Sequence, residues 1–257
     1  MNLFSDLYNY REFLQTSVKK DIRGKYKGSF LGVLWSFINP LLSVVVYAIV
    51  FSKIMRFNID NYLIYLITGV LPWTFFTTSI NAGMNSILFN ANIIKKVYFP
   101  RIILPISSVT SCLINFLISC IVIVLFVLFS GIGITIHLLW LPLIAIIQYF
   151  LCLGFVFVLS AIEIYVRDIE HIVTFFLSMA FYVTPILYKA EQVPGNLRFI
   201  LRLNPMSHII NAYRDIFYYG QSPDILKILI VFGISVAMSI IGYFIFDKLQ
   251  RGFAEEV

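Results

Sequence analysis

Residues able to do bond chemistry are few and scattered. The histidines, His137, His171 and His208, stand far apart, and no H-E-x-x-H pair of metal ligands occurs. Gly24-Lys25-Tyr26-Lys27-Gly28-Ser29 superficially resembles a phosphate loop but lacks the G-x-x-x-x-G-K-[ST] spacing. Cys112, Cys120 and Cys152 lie inside apolar runs without redox or ligand spacing, and read as small packing residues. Most carboxylates flank apolar runs, and only Glu163 falls within one. It precedes Arg167 by four residues, which predicts a structural ion pair on one helical face rather than a proton relay. Catalysis needs acids, bases or nucleophiles converging in a pocket. The pattern therefore predicts no catalytic residue, metal ligand or cofactor site on this chain.

The elements that hold these residues are apolar. Of 257 residues, 60% are hydrophobic and 12% charged, with mean hydropathy +0.90. A soluble domain carries about twice that charge, so the chain reads as an integral membrane protein. The net charge of +6 suits basic membrane flanks, and no nucleic-acid partner is expected. No cleavable signal is apparent in the polar first 27 residues.

A bilayer core of about 30 Å needs about 20 apolar residues in a helix. Six runs qualify: Phe30–Phe51, Tyr62–Leu88, Ile102–Ser130, Leu138–Tyr165, Ile172–Tyr188 and Ile225–Phe246. An even number puts both termini on one side. That side carries twelve Lys and Arg residues, six of them before the first run, against seven on the other. The bias predicts cytoplasmic termini. The fold expected is an all-α membrane protein of six transmembrane helices, one permease-like domain over 1–257. Residues 1–27 form an amphipathic interface helix, with Leu3, Leu7, Tyr10, Leu14, Val18 and Ile22 on one stripe. Residues 28–188 hold spans one to five, 189–221 a re-entrant helix pair outside, and 222–257 the sixth span and a short tail. The 189–221 pieces are too short to cross, yet rich in Leu, Ile and aromatic residues; Asn204-Pro205 and Gly220 punctuate them. No segment leaves room for a soluble catalytic domain.

With no mid-depth charge, ion-coupled transport lacks its usual handle, so a polar cargo would draw energy from an ATPase on a separate chain. Asn90–Arg101 is too short to span and too apolar for a solvated turn, which suits a docking surface; an interfacial turn with snorkelling lysines is the plainer alternative. Gly24, Gly28 and Gly32, four apart, allow close helix approach, within the chain or to a partner. Aromatics make up 17% of the chain. Interfacial belts and lipid-facing rings account for most, but aromatic faces also bind the C–H faces of sugars. Tyr47, Trp73, Phe76, Tyr149, Tyr182 and Tyr213 are candidates for lining a channel or its exit.

Five short motifs in order carry a resemblance across essentially the whole chain. They are Lys25-Tyr26-Lys27-Gly28-Ser29-Phe30-Leu31-Gly32-Val33-Leu34-Trp35 with Pro40, Ile94-Lys95-Lys96-Val97-Tyr98-Phe99-Pro100-Arg101, Tyr165-Val166-Arg167-Asp168-Ile169, Thr184-Pro185-Ile186 and Leu203-Asn204-Pro205. The chain resembles the membrane permeases of ABC-type exporters for cell-surface polysaccharides such as O-antigen, teichoic acid and capsule. The resemblance implies a homodimer with a channel between protomers and two ATPase subunits below, ATP and Mg sitting on those partners. It implies a coupling surface at Leu7, Leu14, Asn92, Lys95, Lys96, Tyr98, Phe99 and Arg101. It places Arg167 at the cytoplasmic mouth, with Lys25 and Lys27 as further candidates to attract the pyrophosphate of a lipid-linked glycan. Lys25 stands where arginine is expected, which loses the guanidinium fork.

The expected function is export of a lipid-linked polysaccharide across a bacterial cytoplasmic membrane by this transport subunit and its ATPase, within membrane lipid. An ABC permease for small lipids or drugs is the same-class alternative. A membrane enzyme acting on isoprenoid-linked sugars is the other, and would require Glu163, Asp168 and His171 to meet around a metal.

Overall fold

The computed structural model describes residues 7–26, 32–54, 59–97 and 99–253, and every regular element among them is a helix. We number the α-helices in chain order. The N-terminal helix α1 is Arg11–Tyr26 and α2 is Trp35–Ala48, continued by a π-helical stretch Ile49–Ile54. Next come α3 (Tyr62–Met84), the short α4 (Ser86–Phe89) and α5 (Ala91–Ile94), and α6 (Ile103–Phe129). After a 3-10 turn, α7 is Leu141–Glu163 and α8 is Ile169–Val183. Two short helices, α9 (Arg198–Leu203) and α10 (Pro205–Phe217), precede α11 (Ile225–Leu249).

Among the described residues, four helical segments are long and apolar enough to cross a membrane: Tyr62–Met84, Ile103–Phe129, Ile136–Glu163 and Ile225–Gly252. At 1.5 Å per residue they reach about 35–42 Å. The apolar runs expected to form the first and fifth spans are shorter as helices, Ile38–Phe51 and Ile169–Val183. The fifth stops early for a local reason. Pro185 disfavours helical backbone at the residue before it, and Thr184 is extended, at φ −80° and ψ 136°.

The long helices pack through small residues. Ser239 donates to the Phe150 carbonyl at 2.6 Å, Gly242 faces Gly154, and Phe157 meets Phe246 with centroids 6.1 Å apart. The three pairs advance together, so α7 and α11 run parallel. A Cβ on Gly154 would sit 2.8 Å from the Met238 carbonyl carbon, and one on Gly242 2.6 Å from the Gly154 oxygen. Without side chains at those two points the backbones touch, the arrangement favoured where lipid offers no hydrophobic drive between helices. Helix α3 joins the same block, also parallel to α7: Gln148 donates to the Pro72 carbonyl at 2.7 Å, Phe76 packs on Phe155, and Gly83 accommodates Val156.

α6 begins beside Arg101, at the end where α3, α7 and α11 finish, and so runs the opposite way. Helix α1 lies across that end, with Val18 buried and its carbonyl accepting from Ser111 at 3.4 Å. By contrast α8 buries none of its residues, and α2 exposes Trp35, Leu42, Val45 and Val46.

Overpacking an interior costs about 1–3 kcal/mol. Gly154→Leu is therefore expected to lower the thermal midpoint of the detergent-solubilised protein by several degrees. Gly233→Leu, at a position with nothing within 4 Å of the added Cβ, should leave it unchanged. Fluorescence-detected size exclusion after heating reads both.

Candidate functional site

Two clusters of polar contacts sit at opposite ends of the helical block. One surrounds the extended segment after α8. Its carbonyls have no helical partner, and four in a row are met by side chains from elsewhere. Arg214 on α10 donates to Pro185 at 2.6 Å and to Ile186 at 2.7 Å. Tyr62 donates to Leu187 at 2.7 Å and Tyr65 to Tyr188 at 2.8 Å, both from the first turn of α3. Asn204 closes the cluster. Its side-chain oxygen caps α10 at the Met206 N–H, while its amide donates to Thr184 Oγ1 at 2.9 Å. The Thr184-Pro185-Ile186 and Leu203-Asn204-Pro205 motifs, distant in sequence, thus form one joint.

Arg214 is 2% exposed. Its guanidinium lies 3.6 Å from the centroid of the Tyr65 ring and against Gly69, where an added Cβ would be 3.1 Å from Nη2. Among the described residues it makes no ion pair; the one present joins Lys227 to Asp224 at 2.9 Å. Carbonyl dipoles past the C-terminal end of α8 and the negative face of Tyr65 take the place of a carboxylate. By charge alone Arg214 is one of the seven basic residues of the second side. Its position was the signal overlooked: it follows Ile210 by four and precedes Phe217 by three, on the apolar stripe of α10.

The other cluster gathers the N-terminal helix, residues 90–101, the α7–α8 turn and the C-terminal segment. Lys20 donates to Asn90 at 2.9 Å, and Phe13 packs on Phe99 with centroids 4.7 Å apart. Arg101 donates to the Gln250 carbonyl and lies over the Phe253 ring at 5.8 Å. Tyr165 donates to the Leu249 carbonyl at 2.9 Å. The last carbonyl of α11 and the one just past it, which also accepts from the Phe253 N–H, are thereby met by side chains from two other motifs. Phe253, fully buried, sits against Tyr165 and Phe246. Beside it opens a groove of about 640 Å³ whose wall includes Lys95, Lys96, Arg101, Arg251, Asp247 and Gln250.

The residues singled out from sequence fall unevenly on this frame. Lys27, Tyr98 and the side chain of Lys25 lie outside the described residues. Asn92, Lys95, Lys96 and Arg167 are exposed, Leu7, Leu14 and Arg101 half-buried. Phe99 is buried against Phe13 and is not itself a surface residue, so it ties the 90–101 segment to α1. The expected Glu163–Arg167 pair does not form. Helix α7 stops at Glu163 and turns, so the spacing of four no longer shares a face; Glu163 is buried with one carboxylate oxygen unpartnered, and Arg167 is exposed. Nearby, Asn85 donates to Glu170 at 3.1 Å. No group of three His, Cys, Asp or Glu able to hold a metal occurs among the described residues, so Glu163, Asp168 and His171 do not meet as such a site.

Of the candidate channel aromatics, Trp73, Phe76 and Tyr213 are buried inside the protomer. Their rings pack on Phe181, Phe155 and Phe116 respectively. Tyr47 is half-buried against Phe181, and Tyr149 shares a 3.0 Å hydrogen bond with Thr110. Tyr182 alone of the six is exposed, at 62%.

Removing the guanidinium leaves buried carbonyls without donors, at about 1–3 kcal/mol each. Arg214→Leu is expected to destabilise the protein by that order and to speed tryptic cleavage after Lys189, just beyond the clamped segment. Arg214→Lys, which keeps the charge without the fork, should fall between the two. Gel-resolved limited proteolysis alongside thermal midpoints measures both effects.

The family model of the ABC-2 type transporter matches residues 12–218. An O-antigen export system permease protein RfbA from Myxococcus xanthus is 34% identical over 259 residues, covering 100% of this chain and 100% of the relative. Two proteins of the same name from Klebsiella pneumoniae are 37% and 36% identical over 246 residues, each alignment covering 95% of this chain and 94% of the relative. Both polar clusters lie within the aligned regions, apart from the α11 residues beyond the family match. With its apolar multi-helix body, the chain belongs to the ABC-2 type transporter family, as a membrane transport component rather than an enzyme.

Proposed function

We propose that this chain is the transmembrane subunit of an ATP-driven exporter that moves a lipid-linked cell-surface polysaccharide out of the cytoplasm. The observation that carries the reading is the end-to-end similarity to three relatives named as O-antigen export permeases. ATP and Mg bind two separate ATPase subunits, and this chain holds no cofactor. Residues 1–257 form one permease domain in the bacterial cytoplasmic membrane, with both termini inside.

Six spans follow if the shorter α2 and α8 also cross. Support comes from the ends they connect: α1 lies at the Arg101 end while Tyr62 opens α3 at the Arg214 end, and α8 leads from Glu163 back to the clamp. The basic residues Lys95, Lys96, Arg101 and Arg251 then face the cytoplasm. In this orientation α9 and α10 form the re-entrant pair at the exit. Such a dip is tolerated where backbone groups are satisfied within protein, as Arg214, Tyr62 and Tyr65 do for the carbonyls of residues 185–188.

A second copy of the chain completes the channel. The exposed faces of α2 and α8, including Trp35, Val46, Phe175, Phe176 and Tyr182, suit that contact and the channel wall, with Tyr47 packed on Phe181 between the two helices. The headgroup of the lipid-linked glycan is drawn by Lys25, Lys27 and Arg167. Leu7, Leu14, Asn92, Lys95, Lys96, Tyr98, Phe99 and Arg101 form the coupling region, which reaches α11 through the Arg101 and Tyr165 hydrogen bonds.

The test is co-expression with the ATPase chain of the same system, purification, and reconstitution into vesicles. The two chains should co-purify, and ATP hydrolysis should rise with lipid-linked polysaccharide, which should accumulate on the far side. Absence of the ATPase from the pure complex, or stimulation by drugs or unglycosylated lipids alone, would overturn the reading. Arg101→Met, which removes the link from residues 90–101 to the turn after α11, is expected to cut export severalfold while the ATPase still co-purifies.

A further inference from the structure

Beside the Arg214 clamp, between the Ala190–Gln192 turn, α9, α10 and the start of α11, lies a pocket of about 300 Å³. Its floor is apolar: Pro185, Leu201, Ala212 and Ile228 are all buried. One wall is a face of α10, where Ser207, Asn211 and Asp215 follow at intervals of four. Ser207 is 2% exposed and its hydroxyl has no hydrogen-bond partner. A buried hydroxyl left unsatisfied is costly and calls for an explanation.

The charges around the pocket cancel. Arg198, Arg202 and Lys227 stand against Glu191, Asp215 and Asp224. Several are already engaged: Arg198 donates to the Glu191 and Val193 carbonyls, Lys227 pairs with Asp224, and Gln221 donates to Asp215 at 2.8 Å. The Lys227 side chain and backbone N–H bonded to Asp224 hold its carboxyl below the ordinary range, whereas burial pushes that of Asp215 upward. A phosphate would meet three carboxylates there, and no metal-holding cluster occurs among the described residues. Exposed Asn211, Arg202 and Glu191 supply donors and acceptors together. An apolar floor with a few convergent polar groups is the general form of a small-molecule site, and this volume is at the lower end of such sites.

We propose that this pocket binds a neutral hexose-class sugar unit, its C–H face on Pro185 and Ile228 and its hydroxyls on Ser207, Asn211 and Asp215. The pocket then lies at the exit side of the pathway and holds a unit of the exported chain. That placement rests on the export reading above, whereas the binding itself does not.

The test uses the purified complex with its ATPase in nanodiscs, and free glucose, galactose, mannose, rhamnose and N-acetylglucosamine as probes in saturation-transfer NMR. At least one sugar should bind saturably. Asn211→Trp, which fills the pocket from an exposed position, should weaken binding about tenfold, the order expected for lost polar contacts. Asp215→Asn, which keeps the volume, carries the test should the tryptophan variant elute abnormally. No saturable signal from any sugar, a signal unchanged in a normally eluting variant, or binding of inorganic phosphate in place of sugar would overturn the proposal. Sugar binding in a complex that drives no polysaccharide export would overturn the export reading and leave the pocket. Export without sugar binding would do the reverse.

Discussion

A buried guanidinium bound to backbone carbonyls is the constraint around which one end of this protein is arranged. In a low-dielectric interior an unpaired charge is costly, and carboxylates are the usual answer. Here Arg214 meets carbonyl oxygens of Pro185 and Ile186 and the face of Tyr65. Those oxygens need donors because Pro185 has ended a helix early. Each side of the contact would be destabilising alone. Tyr62, Tyr65 and Asn204 complete the same exchange, so the extended segment beyond α8, rather than α8 itself, is tied to α3 and α10 by groups that no helix could satisfy.

The opposite end follows a related logic with less burial. Helix ends leave carbonyls without helical partners; Tyr165 donates to that of Leu249, the last residue of α11, and Arg101 adds a donor to that of Gln250 in the turn that follows, which also accepts from the Phe253 N–H. Three segments remote in sequence are thereby joined at the terminus of one helix. A force applied to residues 90–101 acts on α11 through a side-chain hydrogen bond and on α1 through Phe13 and Phe99, without a dedicated hinge.

The long helices were legible because their apolar runs are uninterrupted; α6 and α11 begin and end within a few residues of the expected limits. The fifth run was read too long since Thr184 to Tyr188 are themselves apolar or neutral, and hydropathy does not register what Pro185 does to the backbone. Two of the short motifs proved to be halves of one joint, which spacing alone could not reveal because Asn204 and Thr184, 20 positions apart, meet only through the fold of the chain between them. Glu163 was misread for a similar reason: a helical spacing predicts a contact only while the helix continues. Arg214 and the buried state of Trp73, Phe76 and Tyr213 depend on which helices face each other, information carried by packing rather than by pattern.

The contact of α7 with α11 bears on how this molecule can move. Backbones touching at Gly154 and Gly242 leave no clearance for one helix to slide or roll past the other, and close-packed interiors transmit displacement rather than absorb it. With α3 keyed in through Gln148 and Gly83, these three helices form a stiff block. Helix α8, which buries none of its side chains, and α2, which buries few, are attached as loosely held staves. Rearrangement on the scale a bulky passenger demands would fall to those staves, with the glycine seam as the fixed frame against which they swing.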